Sequence, residues 1–465
     1  MRRINSFTLL TILVFFFISE DFILKWLPVN DVIFSLSRFV GELALYALTA
    51  WVMLLYFLRN GRLRLTPLDG WFILMIFTIT MSSVINGFDL IPYIVKLRIF
   101  FRYVSAYYLV IHLRLDEKQV KNLIKMIVVL GVFQVSVGLY QQIVETRITS
   151  FWLPREVIDI GDVGRGFKEE EDLKPGLMVG TMSMHGQFGV FIAIACGLLM
   201  CLVFYQRKME IFSSKRNGKI IILSLLFLLL GNTLSHNRSS VLLILLAFPL
   251  IANFTGSRKD LFKLTTGITV ILVPLILFGY GISSFGSAID KLNQVKKSED
   301  DIESPIDELK EAFDSEYYET QAKVNRLWYM QVVGTTSLLN LRFFGYGPNE
   351  YNARYQLWQE GAPVRILVYS AFKDVYWFNT LAHFGFFGVF ALAGILFKIY
   401  SISKSVYYRE INDTYRFVGL YGRFLAYAFA VGSIFAAFFE FRPNILIFWI
   451  FAGIVVNRHL ALKRN

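Results

Sequence analysis

The sequence predicts an all-α polytopic membrane protein of about twelve transmembrane helices with two large external loops, and three observations carry that prediction. Of 465 residues, 55% are hydrophobic and only 18% charged, where soluble domains are roughly 45–50% apolar; mean hydropathy is +0.52. Apolar runs long enough to cross a bilayer recur along the chain. The basic residues, which give a net charge of +12, gather in the short segments between alternate runs.

In order, the twelve candidate spans are 5–22, 35–58, 68–86, 92–113, 122–144, 183–205, 219–235, 239–255, 264–283, 376–399, 415–437 and 443–458. Met1-Arg-Arg before Phe7–Ile18 resembles a signal peptide, but no small-residue cleavage site follows, so the run reads as an uncleaved first span. With the N-terminus inside, the short inner segments hold 24 of the 47 basic residues, among them Arg59, Arg62, Arg64, Lys118, Lys215, Lys404 and Arg458. Such a bias orients a polytopic chain and places both termini inside. It also explains the positive charge without a nucleic-acid partner.

Five regions follow: N-terminal spans 1–144, a first external loop 145–182, central spans 183–283, a second external loop 284–375 and C-terminal spans 376–465. The first loop is polar and irregular. The second opens with a charged stretch, then Ser304-Pro305-Ile-Asp307 starts an amphipathic helix along Ile306, Leu309, Phe313 and Tyr317. Loops of this length are usually functional or disordered.

Charges inside spans are costly. Glu42 falls in depth between Arg98 and Arg102, which share a helix face. A structural ion pair is one reading, and an anionic lipid headgroup held by an arginine, Arg98 or Arg102, is the other. Arg238 stands at the mouth of two short spans in Asn232-Thr-Leu-Ser-His-Asn-Arg-Ser-Ser240. It suits a bidentate phosphate contact beside free helix N–H groups, or an interfacial anchor.

Cys196 and Cys201 sit in an apolar run and read as core filler, and the five histidines are scattered. Neither a metal nor a cofactor is expected, and no nucleotide-type glycine loop or nucleophile elbow is present.

Four segments carry a family resemblance: Gly180-Thr-Met-Ser-Met-His185-Gly-Gln-Phe-Gly189; Asn237-Arg238-Ser-Ser240; Arg326-Leu-Trp328 with Gly345-Tyr-Gly347-Pro-Asn-Glu350-Tyr351; and Asp374 followed by Gly385 and Gly388. In order and placement they resemble the O-antigen polymerase and ligase superfamily of bacterial envelope glycosyltransferases. The likeness covers roughly residues 180–390. Core ligases carry histidine where this chain has Asp374, which favours a polymerase.

The resemblance implies a glycosyltransferase of the GT-C-like architecture in the bacterial inner membrane, its site facing the periplasm. Undecaprenyl-diphosphate-linked oligosaccharide would be both donor and acceptor within the membrane lipid, with a chain-length regulator as a further partner. Asp374 is then the candidate base for the acceptor hydroxyl and Arg238 the candidate group for the leaving diphosphate. Arg326, Arg365, Arg98, Arg102, Lys373, His185, Gly345, Gly347, Glu350 and Tyr351 form the candidate substrate-binding set. Gly345 and Gly347 would bring backbone near a sugar, and Gly385 and Gly388 would admit close helix packing. Tyr351, Tyr355, Trp358 and Tyr369 could stack on sugars or anchor at the interface. The rivals are a core ligase or protein-glycosylating transferase of the same superfamily, and a lipid-oligosaccharide flippase, which should show two similar halves.

Overall fold

The chain is a helical, multi-pass membrane protein. Its computed structural model describes residues 6–26, 31–143, 151–152, 157–159, 165–167, 178–182, 184–205, 217–235, 237–255, 326–363, 366–367 and 375–463. Among these are fourteen helices: α1 Ser6–Leu24, α2 Asp31–Asn60, α3 Asp69–Ile85, α4 Leu90–Phe101, α5 Val104–Leu113, α6 Glu117–Ile143, α7 His185–Tyr205, α8 Asn217–Leu234, α9 Arg238–Thr255, α10 Arg326–Leu339, α11 Glu350–Gln359, α12 Tyr376–Arg409, α13 Asp413–Phe435 and α14 Arg442–Leu462. Seven helices among the described residues are long and apolar enough to cross a membrane: α1, α2, α6, α7, α12, α13 and α14. α3, α5, α8 and α9 are apolar but shorter. The predicted span 264–283 and the predicted amphipathic helix after Ser304 lie outside the described residues.

Helices α7 and α14 are apolar all round and occupy the centre. Residues 188–202 of α7 are buried throughout, as are Ile445–Val456 of α14 with Trp449 at 1% exposure. α14 packs on α5, α12, α13, α1 and α7, and α7 packs on α8, α9, α13 and α6. The outward faces of α2, α3 and α12 leave Leu58, Ile73 and Phe397 exposed, as helices facing lipid do.

Two predicted spans differ in form. The run 92–113 is not one helix but two, parted at Arg102–Tyr103. The Ser105 hydroxyl donates to the Arg102 carbonyl at 2.7 Å, Tyr103 sits at φ −100°, ψ −7°, and the helical ladder is interrupted there. α12 runs ten residues beyond the predicted Ile399 and is broken inside by Gly385 at φ 65°, ψ −162°.

The two segments predicted as external loops hold regular structure, the first of them where irregular chain was expected. Val157–Asp159 (β1) pairs antiparallel with Arg165–Phe167 (β2), Ile158 opposite Gly166. The second loop contains α10 and α11. Asn349 starts α11, its side chain accepting from the N–H groups of Tyr351 and Asn352.

Candidate functional site

Two of the four motif segments meet at the break in α12. Gly345 and Gly347 adopt φ 70° and 94°, and the turn they form lies against the helix. Tyr346 N–H donates to the Ala382 carbonyl at 2.7 Å, Gly347 N–H to the His383 carbonyl at 3.2 Å, and Phe387 N–H to the Phe343 carbonyl at 3.1 Å. A Cβ at Gly345 would come within 2.6 Å of Gly385 N, and one at Gly385 within 2.3 Å of the Arg342 and Phe343 carbonyl oxygens. The missing side chain of Gly345 admits the backbone of α12. The two glycines of this contact are therefore complementary halves of one joint.

A polar knot closes the joint. His383 is 1% exposed. Its Nδ1 lies 2.7 Å from the Gly347 carbonyl, and its Nε2 lies 3.0 Å from Lys96 Nζ on α4. A carbonyl only accepts, so the proton belongs on Nδ1, and Nε2 accepts from the ammonium. The Ser82 hydroxyl donates to the His383 carbonyl, and Asn86 Nδ2 donates to the Gly345 carbonyl at 3.1 Å, which brings in the end of α3.

The other two motif segments meet between α7 and the start of α9. Asn237 Nδ2 donates to the Gly186 carbonyl at 3.0 Å, and Asn232 Nδ2 to the Gly189 carbonyl at 2.9 Å. A Cβ at Gly189 would fall 2.7 Å from Asn237 Cβ, so the turn needs glycine there. Asn237 also caps α9, its Oδ1 accepting from Ser240 N–H at 3.2 Å and from the Ser239 hydroxyl at 2.6 Å. One N–H that the sequence left free for phosphate is thus occupied by the cap. Asn444 Nδ2 ties α14 to the Gln187 carbonyl at 3.3 Å beside this contact.

The expected buried ion pair is present and is larger than a pair. Glu42, 1% exposed, takes Arg98 Nε and Nη2 at 2.9 Å each, and Arg102 Nη1 lies 3.6 Å from it. A bidentate guanidinium–carboxylate contact is a geometrically specific form of such a pair. Arg98 also covers the Phe39 ring at 4.1 Å, and Arg102 Nη2 donates to the Glu440 carbonyl at 3.1 Å. Arg442 at the head of α14 pairs with the buried Glu20 near the end of α1 at 2.6 Å. Low-dielectric surroundings make each unpaired charge expensive, which accounts for the close matching.

The predicted site residues fall into three groups. Arg98 and Arg102 come together on Glu42, and Gly345 and Gly347 on α12. Glu350 is ion-paired with Arg354 one turn along α11, Tyr351 is exposed on the same helix, and His185 is exposed at the first turn of α7. Arg365, Lys373 and Asp374 lie outside the described residues, as do the side chains of Arg238 and Arg326, although their backbones begin α9 and α10. Sequence reasoning missed His383 with Lys96, and Glu20 with Arg442. The one available signal was an ionisable residue in an apolar helix at each of these positions.

No protein-family model matches the chain, and no curated protein matches it.

Proposed function

We propose that the chain is a polysaccharide polymerase of the bacterial inner membrane, joining undecaprenyl-diphosphate-linked repeat units on the periplasmic face. In this reading the fold has about twelve spans in a GT-C-like arrangement, with both termini cytoplasmic. One observation carries the reading beyond the resemblance itself. The four motif segments, scattered over some two hundred residues of sequence, form two docked contacts, Gly186/Gly189 with Asn237 and Gly345/Gly347 with Ala382–Gly385. Segments singled out for a shared site and then found in mutual contact support a site more than isolated matches do.

The chemistry needs little from the protein. The acceptor hydroxyl oxygen attacks C1 of the donor sugar, the C1–O bond to phosphate breaks, and undecaprenyl diphosphate leaves with the electron pair. Asp374 accepts the hydroxyl proton or orients the hydroxyl. Arg238 stabilises the departing diphosphate through its planar fork. Glu350, the next carboxylate to consider for the base role, is engaged with Arg354 and is less suited to it.

The glycan profile of a deletion strain tests the assignment. A polymerase predicts acceptors carrying a single repeat unit. Acceptors carrying none would point to a ligase or a flippase and would overturn it.

A further inference from the structure

The turn between α10 and the Gly345 joint presents an apolar surface to the outside. Leu338, Leu339, Leu341 and Phe343 are 61%, 76%, 63% and 50% exposed. In water such a cluster is a liability. Its position along the bundle says what covers it. Phe344 lies with its ring 6.3 Å from Phe77 and 5.0 Å from Phe387. Phe77 is eight residues before the end of α3, about 12 Å down the helix at ~1.5 Å per residue. The exposed faces of α3 and α12 at that level, including Ile76 and Phe390, are apolar as well.

Of the backbone N–H groups from Asn340 to Gly347, all but that of Phe344 are satisfied by backbone carbonyls. The N–H groups of Asn340 to Phe343 donate to carbonyls of Thr336, Leu338, Ser337 and Leu341, and that of Gly345 to Arg342. Those of Tyr346 and Gly347 go to α12. Non-helical backbone at membrane depth requires this kind of internal satisfaction. The one charged residue of the turn, Arg342, is ion-paired with Glu360 and lies over the Tyr346 ring at 4.9 Å.

Leu341 gives a second, independent observation. The Arg342 N–H to Ser337 and Leu341 N–H to Leu338 bonds form the helix-ending motif in which the left-handed position normally belongs to glycine. Here leucine holds it at φ 48°, with its side chain exposed. A strained backbone that keeps a large apolar side chain pointing outward gains nothing from water.

We infer that residues 338–344 are a wedge inserted among the acyl chains of the leaflet beside α3 and α12, so that this part of the second external loop is a lipid-embedded element. The cleft beside the turn is lined by Ile85, Leu341, Phe343 and Phe387 and, at its polar end, by Asn340 and the Arg342–Glu360 ion pair. The inference does not depend on the polymerase reading.

Spin labels in phosphatidylcholine–phosphatidylglycerol liposomes test it, in a background where buried Cys196 and Cys201 are replaced by alanine. Labels at Leu339→Cys and Leu341→Cys should relax severalfold more with oxygen than with a polar nickel chelate, as a label at Phe390→Cys does. A label at Tyr351→Cys, on exposed α11, should show the reverse. If the Leu341 variant fails to fold, the Leu339 label decides. Labels at the turn that favour the nickel chelate, or that neither quencher reaches, would overturn the inference.

Discussion

Glu42 holds two guanidinium groups, and its loss would leave Arg98 and Arg102 facing each other without a counter-charge. Removing one partner of a buried pair costs about 3–5 kcal/mol in soluble proteins. Glu42→Ala should therefore lower the folded yield and the melting temperature in detergent, whereas unchanged stability would mean that lipid or solvent already satisfies the arginines. At Arg238 the proposed role is diphosphate binding, so Arg238→Lys should be impaired and Arg238→Ala nearly inactive through weaker donor binding. Full activity of Arg238→Ala would leave that residue an interfacial anchor. Asp374→Asn should abolish polymerisation at normal protein level. Asp374→His should restore part of it with a raised pH optimum, since the reference pKa rises from about 3.9 to about 6.5.

Among elements, the α12 break and the Gly345 turn stand or fall together. Gly385→Ala adds a Cβ within 2.3 Å of two carbonyl oxygens at a left-handed φ, so the turn must move away. Hydrogen exchange reads this directly: the Tyr346 and Gly347 amides, protected by Ala382 and His383, should exchange faster in the variant. Equal protection would mean that the turn is held by other contacts. The α12–α13 connection offers a pH test. Glu410 is buried at 5% exposure, which raises its pKa, but Arg458 and the N–H groups of Asn412 and Ile411 outweigh burial and hold the carboxyl below its usual 4.5. A carboxylate depressed in the folded state adds stability above its unfolded pKa and loses it as pH falls through the lower folded value. Wild-type melting temperature should thus drop below about pH 4.5 with a component absent from Glu410→Gln.

For the whole molecule, the long helices were legible because apolar runs such as Phe188–Leu202 and Ile445–Val456 announce themselves by composition alone. The Glu42–Arg98 contact was legible because helix rise converts sequence position into depth. Contacts set by tertiary docking were not. Nothing local links Lys96 to His383, 287 residues apart, or Gly345 to Gly385. Leu341 in a left-handed cap contradicts the local preference that sequence reading relies on. Impermeant labelling should reach cysteines placed at Asp162 and Asp301 from outside, and at Lys215 and Lys404 only after the membrane is opened. Reversed accessibility at residue 301 would invert the layout.

Catalysis by this chain alone is reached by reconstitution, without the complications of a cell. Purified protein in liposomes, supplied with undecaprenyl-diphosphate-linked repeat units and no nucleotide, should produce a ladder of lipid-linked polymers and free undecaprenyl diphosphate. The Asp374→Asn protein, equally folded, should produce neither. A wild-type preparation that leaves the repeat units unjoined, or that only moves them across the bilayer, would rule out a polymerase.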